Sequence, residues 1–186
     1  MPRSQQPKEA EGIVVELILQ DPNRRILDVG CGDGKWSDLL FDKVHQLDGV
    51  EIWPEYVRKY NLIERYDRLF VADVMSMIMW NLLQYWDVII LGDVLEHLTK
   101  ENGWVLLNEI KANKSECFLI IPIAGEREQD GSVYGNPYET HVSFWSHSEL
   151  TDFGFQLLHE GTNPNGLVTI GTYRYKDESN GGQSAS

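Results

Sequence analysis

Three glycines within five residues, Gly30, Gly32 and Gly34, constrain this chain more than any other feature. They follow a short apolar run, Ile26, Leu27 and Val29, whose branched residues read as a buried strand. Trp36, Leu39, Leu40 and Val44 then recur at helical spacing, so a helix leaves the turn. Glycine costs chain entropy on folding, and a plain connection needs no such cost three times over. Strand, glycine turn and helix together make a nucleotide-type pocket. Glycines let a ligand approach the backbone, and the helix N-terminus turns unpaired N–H groups towards negative charge.

Spacing narrows the ligand. The dinucleotide fingerprint G-x-G-x-x-G/A needs a small residue at its last position for close helix–strand packing. Counted from Gly30, that position is Lys35, so the fingerprint fails. The form present is acidic-x-G-x-G-x-G, with Asp28 two residues before the first glycine. Asp28–Gly34, DVGCGDG, resembles the first motif of the class I S-adenosylmethionine (SAM)-dependent methyltransferases. The resemblance runs from about Ile26 to Tyr175. Gln46–Glu51 reads as a second strand ending in an acid, 17 residues beyond Gly34, where a carboxylate can accept both ribose hydroxyls. Ile52 and Trp53 follow and can pack against adenine. In Ala72-Asp73-Val74 the acid would receive the adenine amino group, and the next backbone N–H, that of Val74, would meet the ring. Asp93–Leu98, DVLEHL, is similar to the family's fourth motif, expected to face the methyl group. The Asn/Asp-Pro-Pro-Tyr form typical of enzymes acting on amino groups of DNA bases is absent.

The resemblance implies an α/β fold: a doubly wound three-layer sandwich on a seven-stranded, mostly parallel sheet of order 3-2-1-4-5-7-6, its last strand antiparallel. It implies SAM as cofactor, held by Asp28, Gly30, Cys31, Gly32, Gly34, Glu51, Ile52, Asp73, Val74 and Asp93. One domain is expected over residues 8–175, with residues 1–7 and 176–186 as disordered polar tails.

The remaining stretches fill in that frame. Ile13, Val14, Leu17 and Ile18 predict an N-terminal helix over about 8–20, ended by Asp21-Pro22-Asn23, and either a lid over the cofactor or a packing helix. Pro54 suits the first turn of a helix through Asn61. Asp73 doubles as an N-cap for the segment after it. Trp86–Leu91 and Cys117–Ile123 read as buried strands, with a helix over Lys100–Lys111 between them, its inner face Val105, Leu106 and Ile110. Residues 124–139 are irregular and charged; a loop this long in a compact domain is usually functional or mobile. Tyr134, Tyr138, Phe144 and Trp145 surround His141 in sequence and are read as the wall of a substrate pocket. Ser146 and Glu149 form a capping box for a helix through Asp152. Gln156–Glu160 and Leu167–Tyr175 predict a hairpin at the sheet edge.

A methyl transfer to oxygen or nitrogen releases a proton, so a base helps. The candidates are His141 first, then Glu96 and His97, with Asp93 beside them. Asp93, Glu96 and His97 fall at i, i+3 and i+4, on one face of a helical turn. With His141 they offer two carboxylates and two imidazoles, enough donors for a divalent ion. That pattern resembles ubiquinone-pathway O-methyltransferases and small-RNA 3′-end 2′-O-methyltransferases, in which such residues hold Mg²⁺. Here the first position is the shorter Asp and the basic surface suited to RNA is missing, so no metal is assigned. Glu96 and His97 are then structural and His141 positions substrate.

Charge and composition bound the partners. The net charge of −13 makes general nucleic-acid binding unexpected, since phosphate backbones are met by Lys and Arg. No apolar run reaches the length of a membrane span, and the two cysteines, Cys31 and Cys117, read as packing residues in a cytoplasmic protein. The expected reaction is methylation of a small molecule, at oxygen or nitrogen. The alternatives are a methyltransferase of RNA or protein, a non-catalytic subunit that binds SAM, and, more distantly, a nicotinamide oxidoreductase. Oligomeric state is not readable.

Overall fold

The computed structural model describes residues 7–123, 135–163 and 166–177. Seven strands form one sheet: β1 (Arg25–Val29), β2 (Gln46–Glu51), β3 (Arg68–Val71), β4 (Val88–Gly92), β5 (Glu116–Ile123), β6 (Gln156–Thr162) and β7 (Thr169–Tyr175). Their order is β3-β2-β1-β4-β5-β7-β6. The first five run parallel, with Asp28 level with Gly49 on β2 and with Ile90 on β4. β7 enters antiparallel between β5 and β6. This is the expected sheet, including its last strand.

Alternation along the strands builds two cores. On β1, Ile26 faces one side while Leu27 and Val29 face the other; on β4, Val88 and Ile90 oppose Ile89 and Leu91. The first side is covered by α1 (Lys8–Leu19), α2 (Lys35–Leu40) and α3 (Pro54–Lys59), through Val14, Ile18, Trp36, Leu40 and Val57. The second is covered by α4 (Val74–Met79), α5 (Lys100–Ala112) and α6 (His147–Phe153), through Met77, Leu106, Leu107, Ile110 and Leu150. A strand buried on both faces reads as a continuous apolar run, as β4 and β5 do. No helix among the described residues is long and apolar enough to cross a membrane.

Three expectations change. α2 stops at Leu40, because Phe41 turns extended and Asp42 takes a positive φ of 63°; Val44 packs on the core from beyond the helix. Val105 lies on the outer face of α5, 47% exposed, and Gly103 and Leu107 take its inward place. Trp145 is not a pocket wall. Residues 143–145 run extended, with one bridge from Trp145 to Ile123, so Ser143 and Trp145 turn inward while Phe144 stays 46% exposed. Trp145 packs beside Trp104 on α5, ring centroids 4.8 Å apart, and donates from Nε1 to Ser143 Oγ. Tyr134 lies outside the described residues, as do most of the irregular segment and nearly all of both expected tails. The capping box on α6 is present, Ser146 and Glu149 bonding each other's backbone N–H.

Candidate functional site

Parallel strands expose their carboxyl ends to one crevice, and ligands of open α/β sheets sit there. Here the ends of β1, β2 and β4 open into a cleft of about 960 Å³, counting the space at its mouth. The glycine turn forms its floor. The N–H groups of Gly30 and Cys31 donate to Val50 O, at 2.8 and 3.2 Å, which ties the turn to β2. Gly30 has φ of 71°, and a Cβ there would stand 3.0 Å from the Val94 side chain on the opposite wall, so only glycine keeps this passage open.

Most of the residues singled out for cofactor meet in this cleft. Gly30, Cys31, Gly32, Glu51, Ile52, Asp73, Val74 and Asp93 all line it. Glu51 accepts from Gly32 N at 2.9 Å and from Trp53 N at 2.8 Å. Burial raises its pKa, and these N–H donors pull the other way. Each oxygen keeps a second lone pair for a ligand hydroxyl. Asp73 caps α4, accepting from Met75 N at 2.9 Å. Asp93 sits at the end of β4 with φ of 56°, its N–H bonded to Ile120 O.

Asp28 and Gly34 stand elsewhere. Asp28 is buried beneath the turn, not on the cleft wall, and accepts a hydrogen bond from the Tyr66 hydroxyl. Desolvation pushes its carboxyl up to about 7 against that bond. Gly34 is the N-cap of α2 with φ of 80°, and the Arg65 guanidinium fills the space where a Cβ would sit. Both hold the turn from behind.

The catalytic candidates form a cluster at one end. Leu95–His97 is a single 3-10 turn, too short to align Asp93 with Glu96 and His97 on one face. Instead His97 lines the cleft and Glu96 points under it, 3% exposed. The backbone of residues 142–143 is bonded to Glu96 O, which brings His141 beside His97 with ring centroids 4.9 Å apart. One ligating atom each from Glu96, His97 and His141 lies within 4.8 Å of the others. His97 Nδ1 donates to Thr140 O at 3.1 Å, leaving Nε2 as acceptor. Burial lowers the His97 pKa to about 4, so the ring is neutral at physiological pH. Burial, then the nearby Asp93 charge, raises Glu96 far above the carboxylate range. Neither Glu96 oxygen has a hydrogen-bond partner among the described residues. One carboxyl and two imidazoles gathered this closely can share a proton or hold a cation.

On the opposite wall only Tyr138 is among the residues that the sequence offers as a pocket wall. Tyr56, Asn136, Tyr138 and Glu139 line the cleft, and Tyr138 meets Trp53 edge-on at 5.8 Å. Tyr56 reads only as an apolar position on α3. Asn136-Pro137 marks a turn, but nothing in the spacing tells that this turn folds back over β2.

A family model described as a methyltransferase domain matches residues 3–160. No curated protein sequence matches the chain. Among solved structures, one similar fold is the 1,6-didemethyltoxoflavin N1-methyltransferase of Burkholderia thailandensis with S-adenosylhomocysteine bound. It is 17% identical, covering 94% of this chain and 79% of that one at a TM-score of 0.64. A SAM-dependent methyltransferase from Archaeoglobus fulgidus is 16% identical, over 92% and 96% of the two chains, TM-score 0.62. Magnesium protoporphyrin IX methyltransferase from Synechocystis PCC 6803, with S-adenosylhomocysteine, is 18% identical over 91% and 83%, TM-score 0.58.

Proposed function

The chain belongs to the methyltransferase-domain family and is a SAM-dependent methyltransferase; on that premise we propose that it methylates an oxygen, or a nitrogen, of a small molecule held in the cleft. The observation that carries this is the cleft itself: one concave site joins the glycine turn, Glu51, Asp73 and Asp93 to His97. A site enclosed by side chains from both walls suits a compact acceptor, and a chain of net charge −13 offers little to a phosphate backbone.

The cofactor supplies a methyl group on a positively charged sulfur, which the acceptor's lone pair attacks in line while the carbon–sulfur pair returns to sulfur. The protein's share is alignment. In this reading Glu51 takes the ribose hydroxyls, Ile52 and Val74 border the adenine, Asp73 takes its amino group, and Gly30, Cys31 and Gly32 bring backbone against the cofactor. Asp28 and Gly34 support the turn. His97 presents Nε2 to the acceptor and takes the released proton there, with the His141 ring beside it to carry the proton on. Activity in this scheme survives EDTA; loss restored by Mg²⁺ or Mn²⁺ would assign the cluster to an ion instead.

The test is incubation of the protein with methyl-labelled SAM and a fractionated cell extract. Label is expected in low-mass material extractable into organic solvent or aqueous methanol. Label found only in protein or RNA would overturn the acceptor class, and no label anywhere would leave a cofactor-binding subunit as the better reading.

A further inference from the structure

The cofactor brings an anion into a cleft that is poor in cations. SAM and its product S-adenosylhomocysteine both end in an α-amino acid, with one ammonium and one carboxylate. Five carboxylates line the cleft: Asp33, Glu51, Asp73, Asp93 and Glu139. A further carboxylate, brought by the ligand, is repelled by these acids and needs a cation beside it. Among the described residues, Lys35 is the only lysine or arginine that lines the cleft.

Lys35 opens α2 directly after Gly34, so it rises from the same floor as the glycine turn. Its ammonium stands 5.6 Å from the centre of the Trp36 ring, and Trp36 lines the cleft as well. Its anionic partner comes from α1: Glu11 Oε1 is 3.4 Å from Lys35 Nζ, with both side chains 18% exposed. Charged N–H···O contacts close to about 2.7–2.9 Å when fully made, so this pair is loose. α1 itself is fixed, with Ala10, Val14 and Ile18 fully buried. Glu11 can therefore leave the ammonium by swinging its own side chain, with the helix in place. On the cofactor reading above, adenine lies against Ile52 and Val74, the ribose meets Glu51, and the methyl group faces His97. The amino-acid end is then the one part of the cofactor without an assigned neighbour. Lys35 is the one lining residue of matching charge. An ammonium has three N–H donors, so a ligand carboxylate can take over the one that Glu11 gives up.

We propose that Lys35 anchors the cofactor's carboxylate and that Glu11 is the placeholder it exchanges for that group. Glu11 neutralises the ammonium until the ligand's carboxylate takes its position, and then turns to solvent. Anchoring the end of the amino-acid chain limits where the sulfur can lie against the acceptor. Substrate and product carry the same carboxylate, so Lys35 holds both. This rests on the cleft being the cofactor site, and the experiment separates the two.

Calorimetric titrations of the full chain with SAM, with S-adenosylhomocysteine and with decarboxylated SAM provide the test. The last keeps the sulfonium and the ammonium and lacks only the carboxylate. The unaltered protein is expected to hold SAM on the order of tenfold more tightly than decarboxylated SAM. Lys35→Met should weaken SAM and S-adenosylhomocysteine by on the order of tenfold and leave decarboxylated SAM no weaker, which also shows that the variant is folded. Lys35→Arg should keep the preference. Glu11→Gln should tighten SAM and S-adenosylhomocysteine by about two- to fivefold without tightening decarboxylated SAM. Equal affinity of the unaltered protein for SAM and decarboxylated SAM overturns the proposal and leaves the cleft as the cofactor site. So does an equal loss for all three ligands in Lys35→Met, which would mark a structural role. Unchanged or weaker SAM binding in Glu11→Gln overturns the exchange, because Glu11 would then be no competitor for the ammonium. Failure of every ligand to bind the unaltered protein would remove the cofactor site itself and this proposal with it.

Discussion

Asp28 shows how one side chain can serve a site without touching it. Its carboxyl lies under the glycine turn, desolvated, with the Tyr66 hydroxyl as donor. Its pKa is raised from 3.8 to about 7, so the folded state holds a proton there that the unfolded chain has already lost. The stability this contributes is fully present below pH 4 and is lost as pH rises to 7, amounting to about 4 kcal/mol over that span. Asp87 and Glu149, with lowered pKa values, give slopes of the opposite sign at lower pH. Comparing the protein with Asp28→Asn cancels those. The difference in urea-unfolding free energy between pH 4.5 and pH 8 should shift towards the variant at pH 8; parallel profiles would place Asp28 in water. Gly34 makes a second case. Alanine there must hold φ of 80° and push aside the Arg65 guanidinium, which donates to Asp33 O and Gly34 O. Gly34→Ala is expected to cost about 2–4 kcal/mol in urea unfolding. Motif spacing picked out both residues, but it could not tell a ligand contact from a brace behind one. That distinction depends on Tyr66 and Arg65, more than thirty residues downstream.

Elements were readable where a period was long or a cap was chemical. β4 and β5 announced themselves as unbroken apolar runs, and α6 through Ser146 and Glu149. α2 was overread because Val44 keeps helical spacing after the helix has ended at Leu40. α5 was read with the wrong inner face. Its period allows either Val105 or Leu107 inward, and Gly103 decides between them by admitting a ring that sits forty-two residues away. An alanine at Gly103 would place Cβ 2.5 Å from Trp145 Cζ2. Gly to Ala inside a helix ordinarily gains about 1 kcal/mol, whereas overpacking a tight core costs about 1–3 kcal/mol. Gly103→Ala should therefore destabilise, lowering the urea midpoint; a rise would mean that Trp145 yields. The same ring carries a functional consequence, since residues 142–143 are hung on Glu96 O and hold His141 against His97.

At the scale of the molecule, the sheet order places the carboxyl ends of β1, β2 and β4 side by side, and helices on both faces leave that end open. The strand order follows from the first motif; of the cleft's second wall only Tyr138 is legible, because Asn136 to Glu139 reach it by a chain path with no periodicity. Two consequences of this layout can be weighed in one measurement. A ligand that binds only the folded state stabilises it by about 2.7 kcal/mol at one hundred times its Kd. For a chain of 186 residues each kcal/mol moves Tm by about 2–4 °C, so SAM at that concentration should raise Tm by about 5–10 °C. NAD at the same concentration should leave Tm unchanged, because Lys35 stands where a dinucleotide turn needs a small residue and carboxylates line the cleft where a pyrophosphate would lie. A shift with NAD and none with SAM would reverse the assignment of the glycine turn. Equal shifts with both would mean that adenosine alone is recognised.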